Sequence, residues 1–221
     1  VASRTAAEAA TLARALIGGI NMEALPRPDW LRPLGTREDA IFEHSIPVSP
    51  AWWRDALAKT PFAGEEPPSE EHLTRGNLFD LAEDAKRSAL GARRLLWASL
   101  SWGTGRRHRL NRKRIESVVR ASDGGDVLRQ AAVLSRTDPR AAYQVLRPTK
   151  SNALACLGPP FFTKFLYFAG GGDPEHPCLI LDSFVADTLQ KECGWTSLTR
   201  TDVVAFCHVP QILRTPCRLG S

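Results

Sequence analysis

A chain of 221 residues, 43% hydrophobic and 24% charged, can bury one sizeable core or two small ones and has an ordinary globular composition. It has no apolar run near the ~20 residues that span a bilayer, and its Ala-rich residues 6–20 mix acids and bases among apolar side chains, unlike a secretory leader. The five cysteines, Cys156, Cys178, Cys193, Cys207 and Cys217, are odd in number and contain no C-x-x-C pair, which argues against a disulfide framework, a standard zinc site and an iron–sulfur cluster. The expectation is a cytoplasmic protein with reduced thiols, no metal and no cofactor.

Charge is unevenly placed. Residues 106–114, RRHRLNRKR, hold six Arg or Lys and no acid, and without them the net charge falls from +5 to −1. A nearly neutral protein with one concentrated basic patch suits phosphate binding, through Arg106, Arg107, Arg109, Arg112, Lys113 and Arg114. The alternative is a solvated helix face.

Taken in order, the elements are helical nearly throughout. Residues 6–17 read as a helix with Leu12, Leu16 and Ile17 on one side, and residues 25–50 as Pro-rich loops. Ser49 and Pro50 open a helix running to about Lys59, and the prolines of residues 61–69 break the chain again. Residues 77–102 carry one apolar stripe through Leu78, Leu81, Ala85, Ala89, Ala92, Leu96 and Leu100, predicting a long buried helix or two helices broken near Gly91. The stripe ends at Trp102-Gly103-Thr104-Gly105, where glycine permits a sharp turn. The basic run then enters a helix with Ile115, Val118 and Val119 on its buried side. Shorter helices follow over 127–134 and 139–146, then two motif-bearing segments, 157–169 and 181–191, and a last helix over about 201–213. No hairpin signal is present, and residues 178–181 are either a short strand or a buried connection. The fold class is therefore all-α, as two packed helical subdomains (1–75 plus 195–221, and 76–194) with a cleft between them.

Two segments carry the chemistry. In Leu157-Gly158-Pro159-Pro160-Phe161-Phe162-Thr163-Lys164-Phe165-Leu166-Tyr167-Phe168, a Gly-Pro turn feeds a helix with Lys164 in its first turn, among apolar side chains. Such surroundings disfavour the charged ammonium, and the neutral amine is the form that attacks carbon. The alternative is a lysine that snorkels to water. In Cys178-Leu179-Ile180-Leu181-Asp182-Ser183-Phe184, Asp182 follows an apolar run and precedes a helical pattern, as a helix cap does. A cap fixes the carboxylate and favours its charge without excluding chemistry.

Together these segments resemble the active-site region of helix-hairpin-helix DNA glycosylases, and in particular the bacterial 8-oxoguanine glycosylase-like branch. The resemblance covers residues 157–189 most clearly, and the Trp102-Gly103-Thr104-Gly105 turn is similar to that branch as well. It implies that Lys164 is the nucleophile, that Asp182 is its carboxylate partner, and that Gly158 belongs to a hairpin that binds the DNA backbone. Where such hairpins read Leu-Pro-Gly-x-Gly, this chain has Leu157-Gly158-Pro159-Pro160-Phe161; the prolines lack N–H groups, leaving fewer donors for a phosphate. The basic run can compensate, because phosphate neutralisation anchors and orients such proteins. In the last helix Asp202 and Phe206 share a face, which by resemblance makes them a base pocket in which the acid reads and the ring stacks. The alternative is a helix-terminal acid and a core aromatic. Trp102, Trp195 and Trp53 are further stacking candidates, although most tryptophans are core.

The implied activity is that of a monomeric DNA glycosylase, nucleoid-associated, acting on double-stranded DNA that contains a modified base. A Schiff base on Lys164 would add strand cleavage. The implied base is 8-oxoguanine, or a hypermodified phage base such as glucosylated hydroxymethylcytosine in antiviral defence. The rivals are a non-enzymatic helical DNA- or RNA-binding module that uses only the basic run, and a scaffold that uses exposed aromatics as a protein interface.

Overall fold

The computed structural model describes residues 36–149 and 151–193. Among them are nine α-helices and one two-stranded sheet. After a π-helical turn at Glu38–Phe42 come β1 (Ser45–Pro47), α1 (Pro50–Ala58), β2 (His72–Thr74), α2 (Arg75–Asp80), α3 (Ala82–Arg87) and α4 (Ala89–Thr104). Then follow α5 (Asn111–Arg120), α6 (Gly124–Thr137), α7 (Pro139–Leu146), α8 (Pro159–Phe168) and α9 (Ser183–Cys193).

Helix α4 is the axis of the fold. Leu95, Leu96, Trp97 and Leu100 are wholly buried on it, and α3, α6 and α8 pack around it. One contiguous core runs from Val48 and Trp53 through α4 to Phe162, Phe165, Phe168 and Leu181. Trp53 and Leu57 of the expected first subdomain thus share a core with Trp97 of the second. The loop before β2 is tied to α4 by one carboxylate: Glu65 Oε2 accepts from Trp97 Nε1 at 2.9 Å while Oε1 accepts from Arg93 Nε at 2.6 Å.

The expected long helix is three helices. It breaks at Leu81 and again at Ser88, whose backbone is extended (φ −145°, ψ 153°) and whose hydroxyl accepts from Gly91 N at 2.9 Å. Gly91 lies beyond the break and serves the packing instead. A Cβ there would meet the Asp84 carbonyl oxygen at 2.1 Å, so glycine lets α3 fold back against α4. The α4 terminus matches the turn read from the sequence, with Gly105 at φ 54° as its cap. Helix α7 has the expected bounds, with Asp138 Oδ1 accepting from Ala141 N and Pro139 in the first turn. The β1–β2 pair, antiparallel with Ile46 opposite Leu73, was not visible in the sequence. Residues 178–181 form a connection without regular structure, with Cys178 and Leu181 buried. Val119, expected on the buried side of α5, is 36% exposed, whereas Ile115 and Val118 are buried. The helices expected over 6–17 and 201–213 lie outside the described residues. No described helix is long and apolar enough to cross a membrane.

Candidate active site

Helix α8 begins earlier than the sequence suggested, because Pro159 and Pro160 occupy its first two positions. A missing N–H costs nothing there and proline's fixed φ already suits the helix. Lys164 therefore sits in the second turn, with only 7% of its surface exposed. Its Nζ donates to the Pro160 carbonyl at 2.9 Å and to Asp182 Oδ2 at 3.1 Å. The apolar setting read from the sequence is real, but the amine is half of an ion pair rather than an isolated group in an oily pocket. The lysine side chain lies behind and the carboxylate nearer water, at 9% and 26% side-chain exposure.

Asp182 is a helix cap as well as a partner. Its Oδ1 accepts from Val185 N at 3.1 Å, leaving Oδ2 for the amine. Burial pushes its acidity toward higher pKa, but the Lys164 charge, the Val185 amide, the Lys164 hydrogen bond and the Phe184 amide together bring it below the usual 3.8. The carboxylate is ionised at neutral pH.

Two further residues set this geometry: Thr163, which sequence reasoning did not single out, and Gly103, read from the sequence only as part of a turn. Thr163 Oγ1 donates to the Pro159 carbonyl at 2.7 Å and accepts from Leu181 N at 3.0 Å, so the neighbours of the Lys164–Asp182 pair are themselves bonded. The signal was present in the sequence, since Thr163 is to Leu181 as Lys164 is to Asp182. Gly103 is the second: a Cβ there would stand 3.2 Å from Lys164 Cδ and 3.7 Å from Phe161 Cε1, so glycine makes room for the lysine stem. Gly103 and Phe161 also line a cavity of about 370 Å³, completed by Thr104, Arg107, Arg109, Leu110 and Arg114.

The basic run divides. Arg106, Arg107, Arg109, Arg112 and Lys113 are exposed. Arg106 lines a second cleft of about 320 Å³ with Arg54, Ser49, Ser69 and Glu71. Arg112 is partly committed, at 3.0 Å from Asp55 Oδ2. Arg114 departs from the expectation: it is 4% exposed, with Nε on the Cys156 carbonyl (3.0 Å) and Nη1 on the Arg109 carbonyl (2.7 Å) and Asn111 Oδ1 (2.8 Å). Its guanidinium also covers the Phe161 ring at 3.6 Å, and burial lowers its pKa to about 10. Arg114 is a fixed internal brace because its donors are used within the chain. Two non-glycine residues of this loop, His108 (φ 48°) and Leu110 (φ 62°), are left-handed, a conformation costing roughly 1–2 kcal/mol each.

The remaining expectations are distributed unevenly. Trp102 is core: it is 9% exposed, and its ring meets Phe168 at 5.4 Å and His44 at 5.5 Å, with the Arg75 guanidinium 5.2 Å away. Trp53 is wholly buried. Gly158 caps α8, but the two prolines have no N–H, and Phe161 N and Phe162 N both donate to the Gly158 carbonyl, so this helix end offers little to a phosphate. Trp195, Asp202 and Phe206 lie outside the described residues. No cluster of metal-ligating side chains occurs among the described residues.

Residues 39–209 match the model of a family described as "Putative 8-oxoguanine DNA glycosylase OGG-like protein". Searches of curated proteins and of solved structures gave no match. The family match covers well over half of the sequence, on a mostly helical fold that agrees with it, and the chain belongs to the OGG-like DNA glycosylase family.

Proposed function

We propose that this protein extrudes a modified nucleotide from duplex DNA and breaks its N-glycosidic bond with Lys164 as nucleophile and Asp182 as charge partner. The observation that carries this reading is the 3.1 Å approach of Lys164 Nζ to Asp182 Oδ2, held between two segments bonded to each other through Thr163. Extrusion is required because the glycosidic carbon cannot be reached within the base stack. The Lys164 ammonium gives up a proton, which the departing base takes, directly or through solvent. The freed amine bonds to the sugar C1′ as the bond from C1′ to the base nitrogen breaks, its electron pair leaving with the base. Ionised Asp182 stabilises the positive charge that gathers at the sugar and then on the lysine nitrogen. Opening of the sugar ring leaves a Schiff base, from which elimination of the 3′ phosphate cuts the strand.

Borohydride reduces such an imine to a stable amine, so wild-type protein becomes covalently trapped on substrate DNA. Lys164→Gln removes the nucleophile and abolishes trapping. Trapping that persists in this variant rules out Lys164 as the nucleophile, and biological activity retained in it returns the chain to the non-enzymatic DNA-binding reading. The family description points to 8-oxoguanine as the base and hence to repair of oxidised DNA. Release of the base from an 8-oxoguanine oligonucleotide supports that choice; release only from glucosylated phage DNA assigns the same pair to defence.

A further inference from the structure

The loop carrying the exposed basic residues is held from both sides. From within, Asn111 Nδ2 donates to Thr104 Oγ1 at 3.0 Å, and Arg114 holds the Arg109 carbonyl. From without, α1 contributes one ring: Trp52 lies on His108 with centroids 4.2 Å apart and planes 4° from parallel. The Arg112 guanidinium approaches the same indole at 5.3 Å and is anchored to Asp55, also on α1. Between these holds the chain takes two left-handed non-glycine residues within three positions, His108 and Leu110, and leaves Leu110 45% exposed among Arg107, Arg109 and Arg112. Conformations of this kind persist only where the surroundings over-determine them. Histidine tolerates the left-handed region better than leucine does, and the ring stack fixes the residue that leads the chain into Leu110.

We propose that Trp52 is a positioning residue for DNA binding: stacked on His108, it holds the 105–110 loop in the left-handed form that keeps Arg107, Arg109 and Leu110 presented to the duplex. This rests on the reading of the basic loop as the phosphate-binding surface. Trp52 touches no DNA in this account. It acts through His108, and its effect falls on affinity and on the number of phosphates neutralised rather than on the chemistry at Lys164.

The test uses the full chain and a fluorescein-labelled, unmodified duplex, with affinity read by anisotropy across a salt series alongside thermal unfolding. Trp52→Ala weakens binding about tenfold and lowers the slope of log K against log salt by about 1, as for one lost phosphate contact. Trp52→Phe restores both. His108→Gly is the discriminating variant, because glycine accepts the left-handed backbone while removing the ring. It loses affinity like Trp52→Ala while melting at or above the wild-type temperature, and it serves alone if Trp52→Ala does not fold. Wild-type binding by His108→Gly, or failure of Trp52→Phe to rescue, overturns the proposal. The double variant Arg107→Glu, Arg109→Glu separates the two claims. If it binds like wild type, the loop does not contact DNA and the underlying reading fails; if it loses binding while His108→Gly keeps it, only the role of Trp52 fails.

Discussion

Two buried cations near the site are opposites. Arg114 and Lys164 are 4% and 7% exposed, on α5 and α8. The Arg114 guanidinium lies on the Phe161 ring, and the Lys164 stem lies against Gly103. Arg114 spends its donors on neutral acceptors, the Cys156 and Arg109 carbonyls and the Asn111 amide oxygen. Lys164 has one carbonyl and one carboxylate. A guanidinium keeps its proton at any physiological pH, whereas an ammonium can release one and become a nucleophile. Burial of a positive charge therefore does not by itself point to a nucleophile; the reading proposed for Lys164 rests on a charge partner together with a proton that can leave.

Exchanging the two residue types tests that contrast most severely. Lys164→Arg keeps the charge opposite Asp182 but cannot form an imine, so borohydride trapping is lost entirely while the melting temperature changes little. Base release that survives would show that the amine is not the attacking group. Asp182→Asn comes next. It retains an oxygen to cap α9 and loses only the charge, and single-turnover base release falls by about 10²–10³-fold. A drop of less than threefold would remove Asp182 from the chemistry. The reciprocal exchange, Arg114→Lys, cannot reproduce the guanidinium fork and costs about 2 kcal/mol in denaturant unfolding, with base release at saturating protein unchanged. Loss of activity without loss of stability would break the comparison by giving Arg114 a functional role.

Smaller effects sharpen it. Gly103→Ala places a methyl group 3.2 Å from Lys164 Cδ, shifts the amine, and slows base release about tenfold with little change in stability. Acid unfolding gives the last and smallest signal. The folded Asp182 has a pKa below the ordinary 3.8, so as pH falls the unfolded chain takes up its proton first. The stabilising increment is full above the unfolded value and is lost as pH drops through the folded one. Melting temperatures from pH 5 to pH 2 should therefore fall more steeply for wild type than for Asp182→Asn. Parallel curves would mean that the carboxylate has no favoured charge in the fold.

What could be read in the sequence was whatever local chemistry decides. Pro50 and Pro139 place the starts of α1 and α7, because a proline in the first turn acts locally; the Asp138 side chain adds a cap, whereas that of Ser49 makes no capping bond. The pairing of Lys164 with Asp182 was legible through the resemblance of their two segments to a glycosylase active-site region, whose order and spacing they share. The breaks at Leu81 and Ser88 were not: the apolar stripe runs through both, and they arise because α3 folds back on α4 against Gly91. The three-residue strands are too short to show alternation and pair across a long intervening segment. Arg114 was counted with its exposed neighbours because a charge tally carries no information about burial, and Trp102 fell on the wrong side of the same ambiguity. The basic loop was visible as charge, but the Trp52–His108 stack that shapes it joins residues distant in the chain.

The Thr163 hydroxyl, bonded to Leu181 N at 3.0 Å, works as an alignment pin one residue away from the Lys164–Asp182 ion pair. The separation between amine and carboxylate is thus fixed by an uncharged bond as well as by their own attraction. In the proposed reaction that attraction must change, since a proton leaves one partner and new positive charge arrives on a sugar. A site aligned only by opposite charges would relax at that moment; one pinned through a neutral neighbour keeps its spacing while the charges move.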